Sequence, residues 1–287
     1  MDCAICQHRT KKVFDVGVYR IVECINCNHR MVDTDGVAID IKSIYSDDYF
    51  FSGRGGYPYP NYLEERKIRV NLGRNYGRIL ARYIESPGSV LDVGAAAGFI
   101  LKGLTEFGWE GYGVEPNECM ARYARNELGL KVHTSTLESF DPGRRFDVVC
   151  FIQVIGSLAN PKEALEITSR MLSKNGYILI ETWNYRSWTA RLFGKHWHEY
   201  SPPLVLHWFS PRSLNDLMEK QGFGSIGFGR VPKRLTAGYA KSIISHKLNW
   251  LPGAFLMKAL LQLIPENLPI PYLADDLFWI LYKRHFC

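Results

Sequence analysis

Long apolar runs are missing from this sequence. The longest, "LPGAFLMKALLQLI" at 251–264, is too short to cross a bilayer and carries Lys258. The opening "MDCAICQHRT" has no apolar core of the kind a secretory leader needs. Together these imply a soluble, cytoplasmic chain. Clustered positive charge is also missing. The formal charge is +6, but the basic residues are scattered, with nothing beyond pairs such as Lys11-Lys12 and Arg144-Arg145. That argues against a nucleic-acid partner and gives membrane contact a minor place. Repeats and low-complexity tracts are absent as well. What is present is ample core material, 46% hydrophobic over 287 residues, enough for one large domain with a small appendage.

Cysteine is unevenly placed. Four of the seven lie in the first 27 residues, as Cys3-x-x-Cys6 and Cys24-x-x-Cys27, with 17 residues between the pairs. In a reducing compartment such clustering points to a metal rather than to disulfides. Two CxxC turns can present four thiolates to one zinc ion, and "KKVFDVGVYRIVE" between them reads as two short strands turning at Gly17. The pairing resembles a zinc ribbon over about residues 1–40. Cys3, Cys6, Cys24 and Cys27 are its expected ligands, and a closed four-thiolate site implies a structural ion. His8 and His29 each follow a pair by two positions, but four cysteines already complete the site. Asn28 suits the left-handed backbone that follows such a turn; Gln7 suits it less.

Residues 41–60 form a connector rich in glycine, proline and tyrosine. Its aromatics fit packing of the ribbon on the main body, or a lid over a ligand. From 61 to 84 apolar residues recur at helical spacing.

Then comes "SVLDVGAAAGFILKGL", an apolar strand, a glycine loop and a helix, followed by a second strand, "WEGYGVEPN", that ends in Glu115. This is a nucleotide-binding unit, with the acid at the second strand's tip placed to bond a ribose. A dinucleotide loop would read G-x-G-x-x-G; here Ala95 and Ala96 follow Gly94. Asp92 just before the loop would repel a pyrophosphate and welcome a cation. S-adenosylmethionine has an ammonium, a sulfonium and no phosphate.

"VLDVGAAAGFIL" and "GVEPN" look like the first two motifs of class I S-adenosylmethionine-dependent methyltransferases. "LESF" resembles the stretch that family places beside the adenine. "RFDVVCFIQVI" resembles its fourth strand, and "PKEALEITSRMLSKNGYILIETWN" resembles the helix, glycine turn and fifth strand after it. The likeness runs over about 65–230, with "LFWILYK" as a plausible last strand. It implies an α/β, Rossmann-like sheet of seven mostly parallel strands, the last antiparallel, filling 61–287 with a helical insertion at about 231–275. Strands at 89–93, 110–114, 130–133, 146–151 and 176–182, alternating with helices near 98–107, 117–128 and 161–173, give the same architecture without the likeness. The residues it assigns to the cofactor are Asp92, Gly94, Ala95, Gly98, Glu115, Pro116, Leu137, Glu138 and Gln153.

One departure stands out. Where many relatives carry an acid and a histidine after the fourth strand, this chain reads "QVIGSL", with Gly156 and Ser157. Any base must come from elsewhere, or the acceptor needs none. The stretch 183–209 holds four of the seven tryptophans and three of the eight histidines. His207 is the first choice as base, with His198 and Tyr200 behind it. The expected activity is methyl transfer to oxygen or carbon of a small acceptor, such as a sugar, a nucleotide sugar or a natural-product precursor. A zinc-ribbon RNA methyltransferase and a non-catalytic protein that only holds the cofactor are the alternatives. An oligomer is compatible with the sequence.

Overall fold

The computed structural model describes residues 1–34, 39–52, 61–231, 233–238, 241, 255–266, 268–272 and 275–285. The amino-terminal hairpin pairs β1 (Thr10–Val16) with β2 (Tyr19–Cys24), and β3 (Arg30–Val32) lies against β2. Gly17 turns the hairpin with φ +57°. This small sheet is completed from far away in sequence by β9 (His207–Trp208), which pairs antiparallel with β3.

The main sheet comprises β4 (Ser89–Val93), β5 (Glu110–Glu115), β6 (Lys131–Thr134), β7 (Phe146–Ile152), β8 (Leu172–Trp183), β10 (Phe223–Gly229) and β13 (Leu277–Arg284). Its order is β10-β13-β8-β7-β4-β5-β6. The five strands from β6 to β8 run parallel, and β13 is antiparallel to both β8 and β10. Because successive strand residues face opposite ways, the sheet feeds two cores. Val90, Val148, Cys150, Leu179 and Leu281 meet α3 (Arg66–Leu80), α4 (Phe99–Thr105) and α5 (Glu118–Leu128). Leu91, Val149, Phe151, Ile178 and Ile280 meet α6 (Pro161–Met171) and α8 (Pro211–Lys220). Near-continuous apolar strands are what a parallel sheet covered on both faces requires.

Helix starts follow the sequence. Asn117 Oδ1 accepts from Met120 N at 2.9 Å, and Ser210 with Ser213 forms a reciprocal cap ahead of Pro211. The fifth strand departs from its expected start, since β8 begins at Leu172 directly after α6.

Two short helices, α1 (Ile41–Ile44) and α2 (Asp47–Phe51), occupy the described part of the connector. The insertion differs from the helical reading: β11 (Lys233–Thr236) and β12 (Pro269–Tyr272) pair as a hairpin around α9 (Phe255–Gln262). The other helix expected there, over 239–250, lies almost wholly outside the described residues. No described helix is long and apolar enough to cross a membrane.

Candidate active site

The glycine loop binds itself to the acid it faces. β4 delivers the chain to Gly94, whose φ is +70°; Ala96 has φ +47° and Gly98 φ +76°. This left-handed path turns the Ala96 N–H onto Glu115 Oε2 at 2.8 Å, while the Asn117 N–H donates to Oε1 at 2.8 Å. Glu115 is thereby fixed at the end of β5 beside Asp92 at the end of β4. Both carboxyls are only 3% exposed. Burial, and then the charge of Glu115, pushes Asp92 up to about 8. Burial also raises Glu115 to about 7, against its two N–H donors. Two acids buried side by side make a site that favours a positively charged ligand.

These residues border a cavity of about 1260 Å³ across the carboxyl ends of the parallel strands. That is more than one drug-sized ligand occupies, about 300–1000 Å³, so a nucleoside and an acceptor fit together. Gly94, Ala95, Pro116, Leu137, Glu138 and Gln153 all line it, as do His198 and Tyr200. Gln153 has φ +61°. Its Nε2 donates to the buried Glu181 Oε1 at 2.9 Å, which leaves its own side-chain oxygen as an acceptor.

Gly98 does not border the cavity. A Cβ there would lie 2.7 Å from Leu130 Cδ1 and 2.9 Å from Ala124 Cβ. Its glycine serves the turn and the close packing of α5, and the sequence alone could not separate that need from contact with a ligand.

His207 is also elsewhere. It sits on β9, 6% exposed and outside the cavity wall, with Nδ1 3.0 Å from His29 Nε2 and Nε2 3.4 Å from Ala159 O. Burial lowers it to about 4. It joins the small sheet to the loop after β7, and the choice of His207 as base gives way to a bracing role. The reason lies in pairing: register with β3 turns its side chain towards His29. The same strand explains Gly156. The His207 and Leu206 N–H groups both donate to Gly156 O, at 2.9 and 2.8 Å, and a Cβ on Gly156 would lie 2.8 Å from His207 O. Gly156, where the resemblance would put an acid, is the space β9 needs.

His198 faces the cavity with Nε2 3.2 Å from Glu199 Oε1. Tyr200 is committed to the Arg30 guanidinium at 2.5 Å, and burial raises its hydroxyl. Lining residues the sequence did not assign include Tyr45, Tyr49, Tyr62, Arg69, His196 and, from the hairpin tip, Val16. For Tyr45 and Tyr49 the signal was the density of aromatics in the connector.

At the far side of the hairpin the four cysteine sulfurs lie within 4.8 Å of one another. Cys3–Cys27 is 3.7 Å, and Cys6–Cys24 and Cys6–Cys27 are each 3.4 Å. Tetrahedral zinc with Zn–S of about 2.3 Å needs sulfurs about 3.8 Å apart. The N–H groups of Ile5, Asn26 and Cys27 point at sulfur, and Gln7 and Asn28 have φ +60° and +54°. Burial opposes ionisation of Cys6, but the His8 N–H and neighbouring thiols lower it to about 6. The set fits a thiophilic divalent ion.

Residues 62–226 match the family described as a methyltransferase domain, and the chain belongs to it. The fold is that of the class I S-adenosylmethionine-dependent methyltransferases. It resembles magnesium protoporphyrin IX methyltransferase from Synechocystis PCC 6803, solved with S-adenosylhomocysteine, at TM-score 0.53 and 12% identity over 85% of this chain and 100% of that one. A Pyrococcus horikoshii protein matches at TM-score 0.52 and 14% identity, covering 86% and 100%.

Among curated proteins, the ubiquinone biosynthesis O-methyltransferase of Bradyrhizobium diazoefficiens is 29% identical over 132 residues, 44% of this chain and 50% of that protein. That of a Ruegeria species is 27% identical over 154 residues, 48% and 60%. The chain spans about half the length of the curated relatives it matches.

Proposed function

We propose that the chain transfers the methyl group of S-adenosylmethionine to a hydroxyl of a small, ring-bearing acceptor. Sugars, nucleotide sugars and natural-product precursors are the acceptor classes. The observation that carries this reading is the buried Asp92–Glu115 pair at the floor of a cavity large enough for two ligands. Glu115 takes the ribose hydroxyls on its remaining lone pairs, and Leu137 and Glu138 border the adenine. Asp92 answers the positive charge. When bound, the cofactor supplies an electrophilic methyl carbon. The chain aligns the acceptor and removes its proton.

His198, at the cavity wall beside Glu199, is the base this arrangement offers. Tyr45, Tyr49 and Tyr62 give flat faces for a ring, and Lys195 puts positive charge at the wall. The curated relatives, named as O-methyltransferases, favour oxygen as the methylated atom. Under the same reading Cys3, Cys6, Cys24 and Cys27 hold a structural zinc ion.

The test is calorimetry with S-adenosylhomocysteine together with methyl incorporation from labelled cofactor. Glu115→Gln should weaken binding by about 1–3 kcal/mol, the cost of a compromised charged hydrogen bond. Unchanged affinity would remove the ribose assignment. Failure to label any hydroxylic acceptor would leave a protein that only holds the cofactor.

A further inference from the structure

The stretch between β8 and β9 contains a helix that gives the core a single side chain and does not line the cavity. α7 (Trp188–Phe193) buries only Ala190. Trp188 is 80% exposed, Leu192 81% and Phe193 43%. Such rings and leucines held outward are costly in water, and a soluble surface rarely groups them.

The helix is firmly mounted. Ser187 Oγ accepts from Ala190 N at 2.9 Å, and Asp275 Oδ2 accepts from Trp188 N at 2.6 Å and Thr189 N at 3.2 Å. Thr189 Oγ1 also donates to Asp275. The apolar side chains therefore face outward from a fixed helix rather than from a loose loop.

The exposed charge along this stretch itself is basic, while Asp275, just before β13, spends its carboxylate on the helix N–H groups and Thr189. Arg186, Arg191 and Lys195 are exposed, and no acid occurs between 186 and 196. Among the described residues none of the three basic groups has an acidic partner. The Arg191 guanidinium lies over the Trp188 ring, 5.9 Å from its centroid. The element is bounded on both sides by cavity wall, Trp183 before it and Lys195 after it. Three exposed cations beside tryptophan, leucine and phenylalanine complement an anionic bilayer and suit its headgroup boundary.

We propose that α7 docks this chain on an anionic lipid surface, with the mouth of the cavity beside the headgroups. The inference does not rest on which acceptor is methylated. It implies that an amphipathic acceptor can pass between bilayer and cavity without crossing water.

The test is co-sedimentation of the full chain with vesicles of phosphatidylcholine alone or mixed with phosphatidylglycerol. Binding is expected only with phosphatidylglycerol and should weaken steeply with salt. Trp188→Ser with Leu192→Ser should lower the partition coefficient about tenfold or more. Arg186→Gln with Arg191→Gln should remove the preference for anionic lipid. All four side chains are exposed, so S-adenosylhomocysteine affinity and Tm should stay at the wild-type values. Lipids brominated along the chain should quench tryptophan emission, and that quenching should be lost in Trp188→Phe.

Three outcomes overturn the proposal. The wild-type chain fails to pellet with anionic vesicles, or binds them and neutral vesicles alike. Alternatively, sedimentation equilibrium shows a dimer that the Trp188 and Leu192 substitutions dissolve, in which case a second copy covers α7.

Discussion

Two buried acids set the response of the site to pH. Asp92 and Glu115 titrate near 8 and 7 in the folded chain, above the ordinary carboxyl range of about 4. The folded state thus holds protons that the unfolded state releases. Apoprotein stability should fall as pH rises from about 4 towards 8. A cation bound over the pair favours the ionised form, so cofactor affinity should rise with pH through the same upper range. The gain in Tm on adding S-adenosylmethionine should accordingly be larger at about pH 9 than at about pH 6. Asp92→Asn should flatten that difference, and a pH-independent gain in the wild-type chain would show that neither acid senses the ligand.

The two histidines should separate cleanly. His198→Ala should slow turnover about a hundredfold or more with cofactor affinity kept. His207→Ala should instead cost about 1–3 kcal/mol of stability by leaving His29 unpaired in the core. If His207→Ala abolished turnover at full stability, its assignment as a brace would fail.

β9 decides more than its two residues suggest. It extends the hairpin sheet through β3 and holds the loop after β7 through Gly156 O. Gly156→Ala must displace either the strand or the loop, because the new methyl meets a backbone oxygen. Overpacking of this kind costs about 1–3 kcal/mol. Hydrogen exchange should rise in 153–160 and 204–208 together; a rise in only one would show that they are not one unit.

Most elements of the main sheet were legible in the sequence because their signals are local. Strand β4 and helix α5 fall almost where alternation, caps and glycines put them. The proposed base was not legible. "PPLVLHWF" and "GKHWHEY" offer three histidines, and only the pairing of β3 with β9 turns His207 into the core while His196 and His198 stay at the cavity.

At the scale of the whole molecule, the cysteine module and the methyltransferase domain share a sheet and a cavity wall. Val16 of the hairpin lines the cavity, and Tyr185 donates to Asn28 O beside the cysteine cluster. Metal analysis of the purified chain should find one zinc ion per chain. Its removal should lower Tm and loosen 204–208, while S-adenosylhomocysteine affinity, which under the proposed function depends on the ends of β4 and β5, should change little. A metal-free chain with reduced cysteines and unchanged exchange would end the zinc reading.

The sequence by itself determined the parallel sheet, the glycine loop with its acid, and the pairing of cysteines. Each arises from spacing along the chain, through side-chain alternation, backbone turns and the reach of a thiolate. The tertiary structure alone decided which histidines meet the cavity, why Gly156 stands where the resemblance would put an acid, and that a hairpin from the first 32 residues helps wall the site. Those outcomes depend on strands brought together across more than 150 positions, and no local pattern of residues encodes which way a side chain faces once two such strands have paired.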